Sequence, residues 1–394
     1  MPSPLPSRES VVDVLQLLVR TPSVNPTLAP DERQNEEAIA RVCQQWFEKQ
    51  QVRAWVDEVE PGRCNCVAEI GAGEPVLVLC GHIDTVQTTG MTIPPFEPRV
   101  EGNRLYGRGA YDMKGGVAAI MSALATLKAE PLPGKVMAAL VCDEEYASIG
   151  AADFAKRYSA NACILTEPSL GSPHELVIAH KGFVWAEVTT KGFATHGSRW
   201  DLGVSAIGKM GRIVSALEQL DLEVLRQRVH PLVGPASLHC ATITGGSGWS
   251  TYAEECKLQV ERRTIPGETP DQVLDEIQRV ILEAGEDATV QLVFERSPMT
   301  CAADAAIARS ARLALETVTG QTPRDAGVAY WMDAAIFDQA GIPTVNFGSN
   351  GAGAHEAVEW VDIETVVQTA QALVLAGRDY LHASARAGVP PSAV

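Results

Sequence analysis

Short apolar runs that alternate with helical patterns constrain the fold of this chain more than any other feature of its sequence. The runs VLVLC, VMAALVC and ACILT read as strands that are buried on both faces. A helical pattern, DMKGGVAAIMSALATLKA, lies between the first two runs. Because strands that alternate with helices are typical of an α/β layer, we expect a mostly parallel sheet flanked by helices.

A different pattern occupies residues 182–296. Its order is strand, helix, two strands, helix and strand, which is the order of a split βαβ sandwich. We therefore predict an inserted α+β domain (β-α-β-β-α-β) at 182–296, within a larger discontinuous α/β domain made of 1–181 and 297–394. The junction of an inserted domain often forms a cleft that binds small molecules.

The composition limits which molecules this chain can bind and where it works. The 394 residues include 49 acidic and 32 basic side chains, a net charge of −17, so we expect neither nucleic acid nor an anionic membrane as a partner. The N-terminus lacks the apolar core of a signal peptide, and no stretch approaches the roughly 20 apolar residues of a membrane span. Nine cysteines, scattered through apolar runs, indicate a reducing compartment, and we expect the cytoplasm.

Polar residues that can do chemistry follow four of the predicted strands. The segments GHIDTV, DEEYASIG, TEPS and GAGAHEAVEWV come after VLVLC, VMAALVC, ACIL and PTVNF. A fifth segment, GRGAYDMKGG, places Asp112 directly before a helix. The carboxyl ends of the strands in an open α/β sheet face one crevice, so these segments should converge there.

The converging residues have the character of metal ligands. The five segments supply two imidazoles and several carboxylates, namely His82, Asp112, Glu144, Glu145, Glu167 and His355. A set of this kind without cysteine suits zinc, cobalt or manganese, and the acidic groups would repel one another without a cation. One carboxylate could bridge two ions about 3.5–4 Å apart. Any single segment could equally be a solvated strand end or a helix cap, but the five together favour a two-metal site.

With these segments in this order, the sequence resembles a di-zinc metallopeptidase family. The family contains aminoacylases, acetylornithine deacetylases, succinyl-diaminopimelate desuccinylases and glutamate carboxypeptidases. The resemblance spans nearly the whole chain and also includes KGFATHGSR, VERRTIPGE and WMDAA. It implies a metal-binding catalytic domain, a lid and dimerisation domain at 182–296, and two zinc ions.

The resemblance also implies roles for single residues. The ligand set has Asp112 between the two ions, His82 and Glu167 on one ion, and Glu145 and His355 on the other. Asp84 is then the carboxylate that holds the His82 ring and fixes its tautomer. Glu144 resembles the general base that takes a proton from the metal-bridging water, whose hydroxide attacks the amide carbonyl, and then protonates the departing amine. We interpret Asp143 as a strand-end residue.

Two further residues of the resemblance lie in the inserted domain. His196 resembles a histidine that donates to the oxyanion of the tetrahedral intermediate, and dimeric members supply it from the other subunit; the alternative is a surface-loop histidine. Arg263 resembles the arginine that binds the substrate carboxylate, while Arg262 should point to the opposite face, toward solvent. The β-α-β-β-α-β pattern also leaves an uncovered edge strand, so we expect a homodimer through 182–296.

The reaction implied is hydrolysis of an amide that joins an acyl group to an amino acid. Deacylases of the family tend to have glutamate at the position of Glu167, and peptidases tend to have aspartate. We therefore expect an N-acyl-amino-acid deacylase that resembles acetylornithine deacetylase. The alternative is a metallo-carboxypeptidase or dipeptidase that uses the same di-zinc site on short peptides. A third possibility, a metal-binding protein without catalysis, is disfavoured because Glu144 and His196 are both present.

Overall fold

The computed structural model describes residues 4–168, 171 and 173–387, which form two compact units. Unit 1 comprises the described residues up to Ile178, then Cys301–Ala326, then those from Met332 onward, and unit 2 comprises Ala179–Thr300 and Gly327–Trp331. The insertion therefore begins three residues before the predicted position 182 and ends four residues after the predicted position 296.

The five residues at 327–331 were predicted to be part of the larger domain, but they belong to unit 2. Backbone and side-chain hydrogen bonds explain this difference. The N–H of Lys181 donates to the carbonyl of Val328 over 3.2 Å, and Nε1 of Trp331 donates to the carbonyl of Ser297 over 3.1 Å. Contacts of this kind join positions far apart in the chain, so local sequence patterns do not reveal them.

Nine α-helices lie in the described residues. They are α1 (Arg8–Arg20), α2 (Glu37–Lys49), α3 (Gly115–Leu127), α4 (Ile149–Arg157), α5 (Ala206–Gln219), α6 (Pro270–Glu283), α7 (Ala306–Thr319), α8 (Ala334–Gln339) and α9 (Ile363–Ala387). Hydroxyl groups cap three of these helices: Ser7 accepts the N–H of Ser10 at the start of α1, Ser205 accepts that of Gly208 at the start of α5, and Thr269 accepts that of Gln272 at the start of α6. No helix among the described residues has the length and apolar character needed to cross a bilayer.

The strands of the same residues range from two to ten residues in length. They are β1 (Arg53–Glu60), β2 (Arg63–Gly71), β3 (Val76–His82), β4 (Arg99–Glu101), β5 (Arg104–Tyr106), β6 (Lys135–Val141), β7 (Ala162–Leu165), β8 (Glu175–His180), β9 (Gly182–Lys191), β10 (Val229–His230), β11 (Gly234–Pro235), β12 (Ser237–Gly245), β13 (Glu255–Thr264), β14 (Thr289–Arg296), β15 (Met299–Thr300), β16 (Arg324–Val328), β17 (Thr344–Asn346), β18 (Gly351–Ala352) and β19 (Trp360–Asp362).

The main sheet of unit 1 has the strand order β1-β2-β6-β3-β7-β17-β8. Its four central strands, β6, β3, β7 and β17, are parallel, and the pairs at either side are antiparallel. All seven residues of β3 are buried, as expected for a strand covered on both faces. Helices flank this sheet, which confirms the predicted fold class.

The parallel arrangement brings the polar segments of unit 1 together. Strand β3 ends at His82, β6 is followed by Asp143, and β7 is followed by Glu167. A second, smaller sheet of order β18-β19-β5-β4 lies in the same unit and carries the hairpin that contains His355. Because neighbouring parallel strands have their carboxyl ends at the same edge, the residues that follow β3, β6 and β7 are placed side by side, and His355 reaches them from the second sheet.

Unit 2 contains a four-stranded antiparallel sheet of order β12-β13-β9-β14. Its chain order is β9-α5-β12-β13-α6-β14, the order that we predicted, with the short strands β10 and β11 added after α5. Every second residue of β9 and β13 is buried against α5 and α6, and the core there includes Val184, Val188, Met210, Leu258 and Ile277. The opposite face of this sheet carries polar and aromatic side chains.

Candidate metal centre

His82 is the last residue of β3, and Asp84 holds one side of its imidazole ring. Nδ1 of His82 lies 3.0 Å from the backbone oxygen of Asp84 and 3.4 Å from its Oδ1. The strand ends at His82, so Asp84 reaches the ring from the segment after the strand. With Nδ1 engaged in this way, Nε2 is the nitrogen that faces the other candidate ligands.

The carboxylate of Asp112 lies between two imidazole rings. Its Oδ1 is 3.2 Å from Nε2 of His82, and its Oδ2 is 3.4 Å from Nε2 of His355. Asp112 precedes α3, and the peptide bond that follows it is cis. Asp112 thus presents one oxygen to each imidazole, an orientation that would suit a carboxylate placed between two metal ions.

A buried carboxylate, Glu359, holds the loop that carries Asp112. Oε1 of Glu359 accepts the backbone N–H groups of Tyr111 over 2.9 Å and of Asp112 over 3.1 Å. Oε2 accepts the N–H of Gly109 over 2.9 Å and Nη1 of Arg108 over 2.8 Å. Glu359 therefore sets the backbone conformation at the position where Asp112 enters the cluster.

Three glutamates complete the cluster. Oε2 of Glu145 lies 3.0 Å from Nε2 of His355, and Oε1 of Glu167 lies 3.6 Å from Nε2 of His82. A carboxylate oxygen of Glu144 lies within 4.8 Å of donor atoms of His82 and Glu167. The structure thus brings together all the ligand positions that the sequence predicts in this unit, with Glu144 beside them.

The carboxylates raise the pKa values of both imidazoles. Burial would lower the pKa of His82, but the charges of Glu167 and Asp112 raise it well above its ordinary value. Hydrogen bonds with Asp112 and Glu145 raise the pKa of His355 to about 10. The negative charge of this cluster therefore favours a positive charge at its centre.

The carboxylates themselves divide into two kinds. Burial raises the pKa of Glu144 and of Glu167 well above the ordinary value; the charge of Glu167 raises that of Glu144 further, and the charge of Asp112 raises that of Glu167. Burial also opposes ionisation of Asp112, but the hydrogen bonds from His355 and His82 lower its pKa overall. A cation would favour the ionised form of all three in the same way that the imidazoles favour the ionised form of Asp112.

The spacing of the donor atoms fits a bound metal. Nitrogen and oxygen ligands about 2.0–2.1 Å from a tetrahedral zinc are about 3.3–3.4 Å from one another. The four imidazole-to-carboxylate distances of the cluster lie between 3.0 and 3.6 Å. The same distances serve as imidazole–carboxylate hydrogen bonds, and a set of two imidazoles and several carboxylates at this spacing fits metal ions.

His196 lies on an exposed loop of unit 2. Its Nδ1 is 2.9 Å from the hydroxyl oxygen of Ser198, and the residue forms an isolated β-bridge with Thr251. The N–H of the next residue, Gly197, donates to the carbonyl of Ser250 over 2.7 Å. The loop around His196 is therefore tied to the loop at 250–251.

Arg263 and Arg262 lie next to each other in β13 and differ in environment. Arg263 is partly exposed; its Nε donates to Oε1 of Glu261 over 2.7 Å, and its guanidinium lies 5.1 Å from the ring centre of Phe183. Arg262 is only 1% exposed, and its Nη2 donates to Oε1 of Glu268 over 2.5 Å. Our prediction that Arg262 faces solvent is wrong, because its face of the sheet is covered and supplies a carboxylate partner.

Comparison with known proteins now identifies the family. Residues 78–378 match the profile described as peptidase family M20/M25/M40, which is most of the chain. The chain belongs to this family. As a member of peptidase family M20/M25/M40, the protein is a metal-dependent hydrolase that cleaves amide bonds.

Curated relatives of this family member share its length. An acetylornithine deacetylase of Vibrio atlanticus is 32% identical over 283 residues, which are 70% of this chain and 74% of the relative. Another, from Myxococcus xanthus, is 31% identical over 327 residues, covering 80% of this chain and 83% of the relative. A third, from Vibrio cholerae, is 28% identical over 96% of this chain and 99% of its own length.

Solved structures show the same fold at lower identity. The aminopeptidase PepT of Bacillus cereus superposes with a TM-score of 0.78 at 20% identity, covering 96% of this chain and 99% of that one. A dinuclear metal-binding peptidase of the M20 family from Bacillus subtilis gives a TM-score of 0.74 at 18% identity, covering 95% and 98%. At these identities the likeness concerns the fold.

Several buried residues behind the cluster of this M20/M25/M40 member escaped the sequence analysis. Asp143 is not a simple strand-end residue, since it is 1% exposed and forms an ion pair with Arg63. Arg63 also donates from Nη2 to Oε1 of Glu36 over 2.7 Å. Charged side chains are seldom buried without a partner, so an arginine at the start of a buried strand could have indicated a buried ion pair. Its partners lie too far along the chain for the sequence to name them.

Proposed function

We propose that this protein hydrolyses the amide bond of N-acyl amino acids, releasing the acyl group and the free amino acid. The position of Asp112 carries the proposal: each of its oxygens faces one imidazole, and Glu144 lies beside the same cluster. The names of the curated relatives, acetylornithine deacetylases that align over nearly the whole chain, support acyl amino acids as the substrate class.

Two zinc ions are the cofactor that we propose for this site. Asp112 would lie between them, with His82 and Glu167 as ligands of one ion and Glu145 and His355 as ligands of the other. The distances between the paired donors support this division. Nitrogen and oxygen ligands suit zinc, and cobalt or manganese would accept the same set.

The bound ions would lower the pKa of a water molecule and polarise the amide carbonyl. Glu144 would accept the proton of the attacking water and pass it to the amide nitrogen as the carbon–nitrogen bond breaks. Asp84 would keep Nδ1 of His82 engaged, so that Nε2 stays directed at the cluster. The partial burial of Glu144 supports this role, because it raises the pKa of the carboxyl group and so favours its holding the proton before passing it on.

Arg263 would bind the carboxylate of the substrate. Its contact with Glu261 uses Nε, and the side chain is partly exposed, which leaves its terminal nitrogens for a bidentate pair. An acyl amino acid and a short peptide both carry such a carboxylate. The choice between them therefore depends on the group beyond the amide bond, and the relatives favour an acyl group.

His196 would donate a hydrogen bond to the oxyanion, supplied by the second subunit of a homodimer formed through unit 2. Support comes from the exposure of His196 and from β12, an edge strand that is largely exposed over its second half. The cytoplasm is the location that we propose, because all nine cysteines are free thiols and eight of them are buried.

The test is a substrate panel on enzyme reconstituted with zinc, cobalt or manganese. We expect hydrolysis of N-acetyl or N-succinyl amino acids and slower hydrolysis of dipeptides. Glu144→Gln should keep its metal content and lose several orders of magnitude in kcat, because only proton transfer is removed. Glu101→Gln, at an exposed carboxylate, is the matched control and should retain full activity. Faster cleavage of dipeptides than of every acyl amino acid, or a fully active Glu144→Gln enzyme, would refute the proposal.

A further inference from the structure

A short segment near the N-terminus runs beside the residues that follow β3. The N–H of Thr85 donates to the carbonyl of Ser23 over 3.0 Å, and the N–H of Asn25 donates to the carbonyl of Thr85 over 2.9 Å. The hydroxyl of Ser23 donates to the carbonyl of Ile83 over 2.7 Å. This pairing places the side chain of Asn25, which is fully buried, directly behind the cluster.

The amide of Asn25 joins two carboxylates that lie 59 positions apart in the sequence. Its Nδ2 donates to Oδ2 of Asp84 over 2.8 Å and to Oδ1 of Asp143 over 2.9 Å. Its Oδ1 accepts the N–H of Thr27 over 3.0 Å. The two carboxylates can only accept and the Thr27 N–H can only donate, so the orientation of the amide is unambiguous.

Each of these carboxylates fixes part of the turn that presents Glu144 and Glu145. Oδ1 of Asp84 accepts the N–H of Glu144 over 3.2 Å, and its Oδ2 accepts the N–H of Glu145 over 3.3 Å. Asp143 has a left-handed backbone, with φ of 68°, and its Oδ2 accepts the N–H of Ala147 over 3.2 Å. The turn is therefore held from both sides, by the two side chains that Asn25 connects.

A buried ion pair supports this connection from behind. Arg63 donates to Oδ1 of Asp143, the same oxygen that accepts from Asn25. Nε and Nη2 of Arg63 also donate to the two oxygens of Glu36, each over 2.7 Å. Asn25 and Arg63 are thus the donors that hold together three buried carboxylates.

We propose that Asn25 is a positioning residue of the reaction. Its amide connects Asp84, which orients His82, to Asp143, which shapes the turn. The connection keeps Glu144 and Glu145 pointing into the cluster. This role rests on the proposed function of Glu144 and on the proposed metal site. Without the amide, Asp84 and Asp143 would face each other with one donor fewer, and their repulsion would move the turn.

The proposal predicts a loss of turnover and of metal affinity that exceeds any loss of fold. Asn25→Leu has a similar volume and removes the donor, while Asn25→Asp adds a third carboxylate at the same place. We expect kcat to fall about 10- to 100-fold in Asn25→Leu and further in Asn25→Asp, with KM changed less than kcat. Isothermal titration of the metal-free protein with zinc should show weaker binding by about 10-fold or more.

Matched variants separate positioning from a general loss of stability. Arg378→Met breaks the ion pair with Glu130 beyond the far end of α3, which is about 20 Å long. It should lower the midpoint of thermal unfolding without changing kcat or zinc binding. Arg63→Lys, which keeps a positive charge beside Asp143, should retain more activity than Arg63→Met.

Each outcome decides the proposal. If kcat and zinc affinity, measured per folded molecule, stay within about twofold of the wild type in Asn25→Leu and Asn25→Asp, the role of Asn25 is structural only. If one of these variants does not fold, Asn25→Ser, whose hydroxyl is too short to reach both carboxylates, takes its place. The zinc titration tests the proposal even if the wild-type enzyme hydrolyses no acyl amino acid, so the two failures can be told apart.

Discussion

Replacement of Glu359 by glutamine should disrupt the metal site from a distance. Each oxygen of Glu359 accepts two hydrogen bonds. Three of the four donors are backbone N–H groups of the loop before α3, and the fourth is the guanidinium of Arg108. In Glu359→Gln, one oxygen becomes an NH2 group, which cannot accept a hydrogen bond and faces two N–H donors. The variant therefore loses at least two hydrogen bonds to a charged acceptor, while the side chain keeps its size.

The magnitude follows from the burial of this group, which is 1% exposed. A hydrogen bond to a charged group contributes about 1.5–3 kcal/mol, so two lost bonds amount to roughly 3–6 kcal/mol. That is a large fraction of the 5–15 kcal/mol by which domains are typically stable. Because Asp112 takes its position from the same loop, the zinc content of the purified variant should also fall.

Urea unfolding of the metal-free proteins, followed by circular dichroism, measures this loss without the added stability that metal binding gives. Zinc per chain is then determined on the reconstituted proteins. Glu101→Gln is the control, since Glu101 is exposed and its pair with Arg99 spans 3.2 Å at the surface; it should change stability by less than about 0.5 kcal/mol. A loss below about 1 kcal/mol in Glu359→Gln, with full zinc content, would refute the reasoning.

Three other expectations concern metals, subunits and pH. Asp112→Ala should lower the content of both metal ions per chain, whereas His82→Ala should lower it by about one ion. Metal analysis that finds one ion per chain in the wild type, and the same content in Asp112→Ala, would contradict the bridging role. His196→Ala should lower kcat by about 100-fold or more with its metals intact, and mixing it with Glu144→Gln should restore activity if the histidine acts across subunits; no recovery despite confirmed subunit exchange would exclude that arrangement. Burial lowers the pKa of His180 to about 4, so the folded state keeps this imidazole neutral. Below about pH 6.5 the unfolded state takes up a proton at His180 that the folded state does not, so the free energy of unfolding falls until about pH 4, by at most about 3 kcal/mol. In His180→Leu, the free energy of unfolding should therefore fall less steeply over that interval.

The fold class and most of the cluster could be predicted because their signals are local. A fully buried strand must be apolar along its whole length, and the strand before His82 shows this in its letters. Parallel strands then place their carboxyl ends together, so residues that follow different strands meet without any need to know their partners. Helical periodicity likewise indicated α5 and α6 in the inserted unit.

Other features depended on which surfaces cover one another. Strand alternation placed Arg262 on the face opposite Arg263 but could not show that this face was covered, with Glu268 beside the guanidinium. The same reason explains the residues behind the cluster. Glu359 lies 247 positions from Asp112, and Asn25 lies 118 positions from Asp143.

The distinction has a physical basis. Apolar burial is non-directional and follows from the pattern of one segment, so sequence alone determined the strands, the helices and the edge at which ligands gather. A buried charge or amide is stable only when a donor or acceptor meets it at hydrogen-bond distance, and that partner can come from any part of the chain. Only the tertiary structure decided that Asn25 and Glu359 would supply those partners, and so only it showed what holds Asp112, Glu144 and Glu145 in place.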